Sequence, residues 1–100
     1  MLDTLSVPPS RILRGRPLPT LLRAGPYRLF MFMPMSDCAD PPHVHVEGND
    51  GVAKFWLRPV SLADNVGYSP REIRRIRSIV ERDRVSLIRA IDTICERPWR

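Results

Sequence analysis

The sequence has few histidines and cysteines and no long apolar run. Two of its 100 residues are histidine and two are cysteine. No apolar segment approaches the roughly 20 residues that a membrane-spanning helix requires, which argues against a helical membrane protein. The first 20 residues also lack the continuous apolar core of a secretion signal. The sequence therefore predicts a cytoplasmic protein with no membrane partner.

The two cysteines, Cys38 and Cys95, are far apart in the chain. One falls in a predicted loop and the other near the end of a predicted helix. Cytosolic proteins rarely contain disulfides because their thiols are kept reduced, so we predict two free thiols.

Several common chemical signatures are also missing. The sequence contains no glycine-rich phosphate loop, no GxSxG nucleophile motif, no CxxC pair and no zinc-finger spacing. We therefore expect no cofactor.

Lysine is nearly absent, and arginine supplies the positive charge. All of the 16 basic residues are arginine except Lys54, and the net charge is +5. Arginine binds phosphate through a rigid fork of donors, so one interpretation is a polyanion partner such as RNA. A genome rich in G and C, which favours arginine codons, explains the same composition. The charge alone leaves both interpretations open.

Residues 1–18 are predicted to be a flexible basic N-terminal extension. They contain three prolines and show neither a strand nor a helix period. Residues 19–97 are predicted to form a single α+β domain, a small antiparallel β-meander packed against one long or two consecutive C-terminal helices. The sequence leaves a homo-oligomer open.

Three to four strands are predicted in the meander. The run 27–33 is apolar on both faces, so we expect it to be central in the sheet. Pro59 should end the last strand, and 61–67 is predicted as a connector with one helical turn. The predicted strands are 20–24, 27–33, 43–47 and 53–58.

The residue pattern of the C-terminal third of the chain predicts helices. Ser69 is a candidate N-cap, followed by Pro70 at the first helical position and by Glu72, which completes a capping box. Apolar residues then recur at helical spacing up to residue 94, and the stripe thins near Asp83. We favour two consecutive helices over one long helix.

The hairpin formed by the third and fourth predicted strands carries the unusual side chains. A two-residue turn at Asp50-Gly51 would pair Glu47 with Lys54 and His45 with Trp56. Because side chains alternate along a strand, one face of the hairpin is apolar. The other face carries His43, His45, Glu47, Lys54, Trp56 and Arg58.

Two histidines at positions i and i+2 of a strand point the same way, about 7 Å apart. That spacing suits two imidazoles on one metal ion, or a general acid and a general base at one reacting group. Glu47 is a candidate third ligand or a hydrogen-bond acceptor that fixes a tautomer. Asp37, Cys38 and Asp40 are close enough in sequence to fold back onto the pair. The alternative is two ordinary exposed histidines, with Trp56 covered by the helices.

Four stretches resemble one family: LPTLLRAGPYRLFMF from residue 18, PPHVHVE from 41, AKFWLRPVSLADNVGYSPREIRRI from 53 and IVERDRVSLI from 79. The chain resembles the small bacterial proteins grouped as domain-of-unknown-function family 4160. The resemblance covers residues 18–94. It implies a component of a gene pair similar to a type II toxin–antitoxin system, with a small partner protein encoded by the neighbouring gene.

Three functions stay open. The first is an RNA-directed toxin, a metal-independent endoribonuclease. His43 and His45 would exchange protons, Lys54 or Arg58 would bind the phosphate, and Trp56 would stack a base.

The second is a non-enzymatic module, either an antitoxin or a regulator, that binds nucleic acid or protein. Its nucleic-acid-binding patch would be Arg71, Arg74 and Arg75, which are neighbours on one helix face. A solvated helix face explains the same charges. The third is a metal-binding protein that uses His43 and His45 with Glu47 and Cys38.

Overall fold

The computed structural model of the protein describes residues 20–32 and 37–96, so the predicted extension 1–18 lies outside the described residues. The described chain forms a five-stranded antiparallel sheet followed by two helices, which confirms the predicted α+β class. The sheet order follows the chain, β1-β2-β3-β4-β5. The elements are β1 Thr20–Ala24, β2 Tyr27–Phe30, β3 His43–Gly48, β4 Gly51–Leu57, β5 Val60–Val66, α1 Pro70–Arg82 and α2 Arg84–Ile94.

The fifth strand is the main departure from the predicted sheet. Val60–Val66 is a strand and not a connector with a helical turn. The chain reverses at Arg58-Pro59 and pairs back along β4. Residues 62–66 are all exposed at this sheet edge, Leu62 and Val66 included, so no buried face marks this segment as a strand. Strand β2 is shorter than predicted, but it lies between β1 and β3, as its apolar faces indicated.

The β3–β4 hairpin pairs in a register two positions from the predicted one. The turn residues are Asn49 and Asp50, with φ angles of 57° and 68°. A two-residue turn of this type requires positive φ at both positions, which asparagine and aspartate tolerate. His45 therefore lies opposite Lys54, and the predicted pairing of Glu47 with Lys54 is wrong. A shift of two residues keeps every side chain on its predicted face.

Gly51 is the first residue of β4, and its backbone passes close to an aromatic ring. A β-carbon at this position would lie 2.6 Å from ring atoms of Tyr68. The Tyr68 hydroxyl donates to the carbonyls of Gly48 and Gly51 at 2.6 and 3.0 Å. Tyr68 thus fixes the turn that sets the register of β3.

Both helices cover the same face of the sheet. Ile73, Ile76 and Val80 of α1 are buried against the sheet, as are three apolar residues of α2. Asp83 separates the two helices, as predicted. Neither helix in the described ranges is long and apolar enough to cross a membrane. The sheet residues of this core are Tyr27, Leu29, Val44, Val46, Ala53, Phe55 and Leu57.

Helix α1 begins as the sequence predicts, with one difference. The Ser69 hydroxyl accepts the backbone N–H of Glu72 at 3.1 Å. The Glu72 carboxylate does not return to the cap; it accepts the Tyr27 hydroxyl and the Asn49 amide, both at 2.6 Å. The first turn of α1 is therefore tied to β2 and to the hairpin turn.

The prediction of two free thiols is wrong. Cys38 and Cys95 form a disulfide, with their α-carbons 5.7 Å apart. The prediction rested on the expected compartment, whereas the fold brings the segment before β3 against the C-terminal end of α2. Both cysteines pack on the edge of the apolar core.

Candidate metal site on the outer face of the sheet

Strand β3 places His43 and His45 side by side on the face opposite the helices. Val44 and Val46 alternate with them and are fully buried in the core. The two imidazole centroids are 5.1 Å apart, and the rings are nearly perpendicular. The outer face predicted for the histidine pair is therefore the face that the helices leave uncovered.

Asp37 completes the pair from the segment before β3. Its carboxylate oxygen Oδ1 lies 3.1 Å from Nε2 of His43, and Oδ2 lies 3.2 Å from Nε2 of His45. One ligand atom from each of the three side chains lies within 4.8 Å of the other two. We call these three residues the Asp37–His43–His45 cluster.

His43 is the informative member of the cluster. Its side chain is buried, at 2% exposure, and its Nδ1 lies 2.9 Å from the carbonyl oxygen of Pro41. A carbonyl oxygen only accepts hydrogen bonds, so Nδ1 donates to Pro41, and in the neutral ring Nε2 presents a lone pair. That Nε2 atom is buried, and no residue in the described ranges forms a hydrogen bond with it. The nearest carboxylate oxygen of Asp37 is within ion-pair distance but outside hydrogen-bond geometry.

Electrostatics keep the other two members in their metal-binding forms. Burial favours a higher pKa for Asp37, but the Phe32 N–H, which donates at 2.8 Å, and the neighbouring histidines outweigh it and hold that pKa below its usual value. Burial lowers the pKa of His45, and the charge of Asp37 opposes this only in part. Asp37 is therefore a carboxylate near neutral pH, and burial favours the neutral form of His45.

The spacing of the cluster fits a metal ion. Ligands 2.0–2.2 Å from a tetrahedral ion lie about 3.4 Å from each other. Oδ1 of Asp37 lies 3.1 Å from Nε2 of His43 and 3.4 Å from Nε2 of His45, both close to that value. Metal-binding histidines usually donate their other N–H to a carbonyl or carboxylate, as His43 does to Pro41. Two imidazoles and one carboxylate are a donor set that zinc and iron(II) accept.

A family profile for a domain of unknown function, DUF4160, matches residues 27–90. The chain belongs to this family. The DUF4160 segment contains the whole Asp37–His43–His45 cluster, while Cys95 lies beyond its end. No curated protein and no solved structure matches the chain.

Aromatic rings and one cation surround the cluster. The ring of Trp56 lies 5.5 Å from that of His43, and the ring of Phe32 lies 4.5 Å from that of His45. Beside His45 a cavity of about 320 Å³ is lined by Phe30, Phe32, Lys54 and Asp64 among others. A larger, shallower depression of about 510 Å³ near Gly48 has none of the three cluster residues in its lining.

The remaining predicted site residues are divided between two sides of the molecule. Glu47 forms an ion pair with Arg28 at 2.7 Å and is not part of the cluster. The Lys54 ammonium lies over the ring of Trp56, 4.4 Å from its centre. Arg58 is exposed in the β4–β5 turn.

The arginine patch of α1 does not share the outer face. Arg71, Arg74 and Arg75 are exposed on α1, whose apolar residues pack against the other face of the sheet. The helix and the sheet lie between this patch and the histidines. The nucleic-acid-binding role of this patch stays a prediction. The patch and the Asp37–His43–His45 cluster are separate sites.

Proposed function

We propose that this protein binds one divalent transition-metal ion through Asp37, His43 and His45. The observation that carries the proposal is the buried Nε2 of His43. Among the described residues no group donates to this atom, and it lies 3.1 Å from a carboxylate oxygen; a cation between the two would use the lone pair of the neutral ring and offset the carboxylate charge.

The cost of leaving Nε2 of His43 without a partner favours a bound ligand at this site. A buried acceptor without a partner costs about 1–3 kcal/mol, a large part of the stability of a small domain. In the neutral ring, the Pro41 carbonyl selects the tautomer with the proton on Nδ1 and the lone pair on Nε2. A metal ion uses that lone pair and neutralises the carboxylate at the same time.

The predicted ligand set changes in one respect. Two of the four predicted ligands, Glu47 and Cys38, are bound elsewhere, to Arg28 and to Cys95. Asp37 takes their place. Three protein ligands leave one tetrahedral position for water or a substrate, which is typical of catalytic rather than structural zinc sites.

Zinc titration with matched variants tests the proposal. Protein without a histidine tag is freed of metal with a chelator and titrated with zinc chloride in a calorimeter. We expect one equivalent to bind, and we expect His45→Gln to weaken the affinity at least tenfold. Glu47→Gln is the control, because Glu47 lies on the same strand face but outside the cluster. Equal affinity in the wild type and the His45 variant would overturn the assignment.

An RNA-directed toxin of a gene pair is the second candidate. His45 borders a cavity with Phe32, which is 40% exposed, and with Lys54, so a base and a phosphate have matching partners there. Because His43 is buried, His45 alone would act on the RNA, with Asp37 as the positioning residue. We expect chelator-resistant cleavage that His45→Gln removes, together with slowed growth on expression without the partner protein. Cleavage that persists in His45→Gln would reject this candidate.

A further inference from the structure

We propose that the Cys38–Cys95 disulfide controls the metal site, so that the oxidised protein binds metal tightly and the reduced protein binds it weakly. This inference rests on the proposed function. It assigns a regulatory role to a bond that joins the cluster-bearing segment to the helical layer.

Neighbouring residues of one segment reach opposite sides of the sheet. The Asp37 carboxylate contacts the histidines on the outer face. The next residue, Cys38, packs on the helix-side core, where it bonds to Cys95. Cys95 is the C-cap of α2, 57 positions along the chain. The disulfide therefore holds the segment that orients Asp37.

The three ligands differ in what else holds them. His43 and His45 lie on a strand that is paired with neighbours on both sides. Asp37 lies on no strand. Apart from its contacts with the histidines, its hydrogen bonds to described residues are local: the Phe32 N–H donates to its carboxylate at 2.8 Å, and the Asp40 N–H donates to its carbonyl at 3.2 Å. Reduction should thus loosen Asp37 and leave the two histidines in place.

The redox step requires a thiol reductant of the glutathione class. The reductant thiolate attacks one sulfur of the disulfide and forms a mixed disulfide; a second reductant thiol then displaces the protein sulfur. Two electrons pass to the protein, which becomes a dithiol, and the two reductant molecules leave joined by a disulfide. Both cysteines are half-buried rather than enclosed, so a small thiol has access.

Zinc affinity in three forms of the full chain tests the inference. The forms are the oxidised wild type, Cys95→Ala, and the double variant Cys38→Ala/Cys95→Ala, each titrated with zinc chloride against a chromophoric chelator. We expect both variants to bind zinc at least tenfold more weakly than the oxidised wild type, with unchanged far-ultraviolet circular dichroism. Equal affinity in the double variant would overturn the inference. So would tighter binding in Cys95→Ala, because Cys38 would then be a ligand once freed.

The experiment separates this inference from the proposed function. If the oxidised wild type fails to bind zinc, the metal assignment itself fails. Should the variants not fold, amide hydrogen exchange of the wild type before and after reduction replaces them. We expect the Asp40 amide to exchange faster after reduction while the Val44 and Val46 amides of β3 keep their protection. An unchanged Asp40 rate would contradict the release of Asp37.

Discussion

The Asp37→Asn substitution distinguishes a metal site from a buried ion pair. In the structure, Oδ2 of Asp37 accepts the Phe32 N–H at 2.8 Å, and Oδ1 lies 3.1 Å from Nε2 of His43. An asparagine that keeps its oxygen on the Phe32 N–H places its NH₂ group beside the lone pair of His43. Its oxygen also stays at the position that lies 3.2 Å from Nε2 of His45. The substitution therefore removes the charge and retains the shape.

Two effects of this substitution nearly cancel in the metal-free protein. Hydrogen bonds to a neutral oxygen are about 1 kcal/mol weaker than those to a carboxylate. The new donor to His43 returns about 1 kcal/mol by satisfying a buried acceptor. We expect the free energy of unfolding without metal to stay within about 1 kcal/mol of the wild-type value. If His43 instead carried a second proton, the substitution would break a buried ion pair at a cost of about 3–5 kcal/mol.

Urea unfolding followed by circular dichroism provides the assay. The wild type and Asp37→Asn are compared with a chelator and then with zinc chloride at a hundred times the wild-type Kd. Zinc at that excess should raise the wild-type free energy of unfolding by about 2.7 kcal/mol and should raise that of the variant much less. A loss of about 3 kcal/mol or more in the metal-free variant would refute the neutral His43 on which the metal site depends.

Three further predictions concern the fold that carries the site. Burial, and then the charge of Glu72, raises the pKa of Tyr68 to about 12. Because the folded state holds this proton more tightly, stability should be full below pH 10 and fall as the pH rises towards 12; Tyr68→Phe should reduce that loss in thermal melts. Gly51→Ala should lower the melting temperature more than Gly25→Ala, because only the first places a β-carbon against a ring. Ile76→Ala should cost about 2–5 kcal/mol in urea unfolding, whereas exposed Val85→Ala should change stability by less than about 0.5 kcal/mol.

The face of the sheet that carries the histidines could be predicted although the predicted strand register is wrong by two positions. Side chains alternate between the two faces, so a shift of two positions returns each side chain to the same face. The sequence indicated that a turn lies between His43–Glu47 and the following strand, but it did not reveal which two residues form it. Asn49 and Asp50 form the turn because Tyr68, which is distant in sequence, binds both carbonyls that flank it. The resulting shift is even-numbered, so the valines remained in the core and the histidines stayed outside.

The third ligand and the disulfide could not be predicted in the same way. Asp37 reaches the histidines because of the path of the segment before β3, and no periodicity governs that path. Cys38 and Cys95 lie together only because both helices pack on the sheet. Strand β5 is an exposed edge that needs no apolar pattern to form once β4 offers its backbone. Only the disulfide joins residues far apart in the chain, 57 positions; the other two depend on local chain paths that no apolar period marks.

Anomalous diffraction at the zinc edge, from crystals of the oxidised protein grown with zinc chloride, tests the metal site most directly. We expect one strong peak about 2.0–2.2 Å from Nε2 of His43, Nε2 of His45 and a carboxylate oxygen of Asp37. Density that shows these three side chains in place with no peak between them would contradict it.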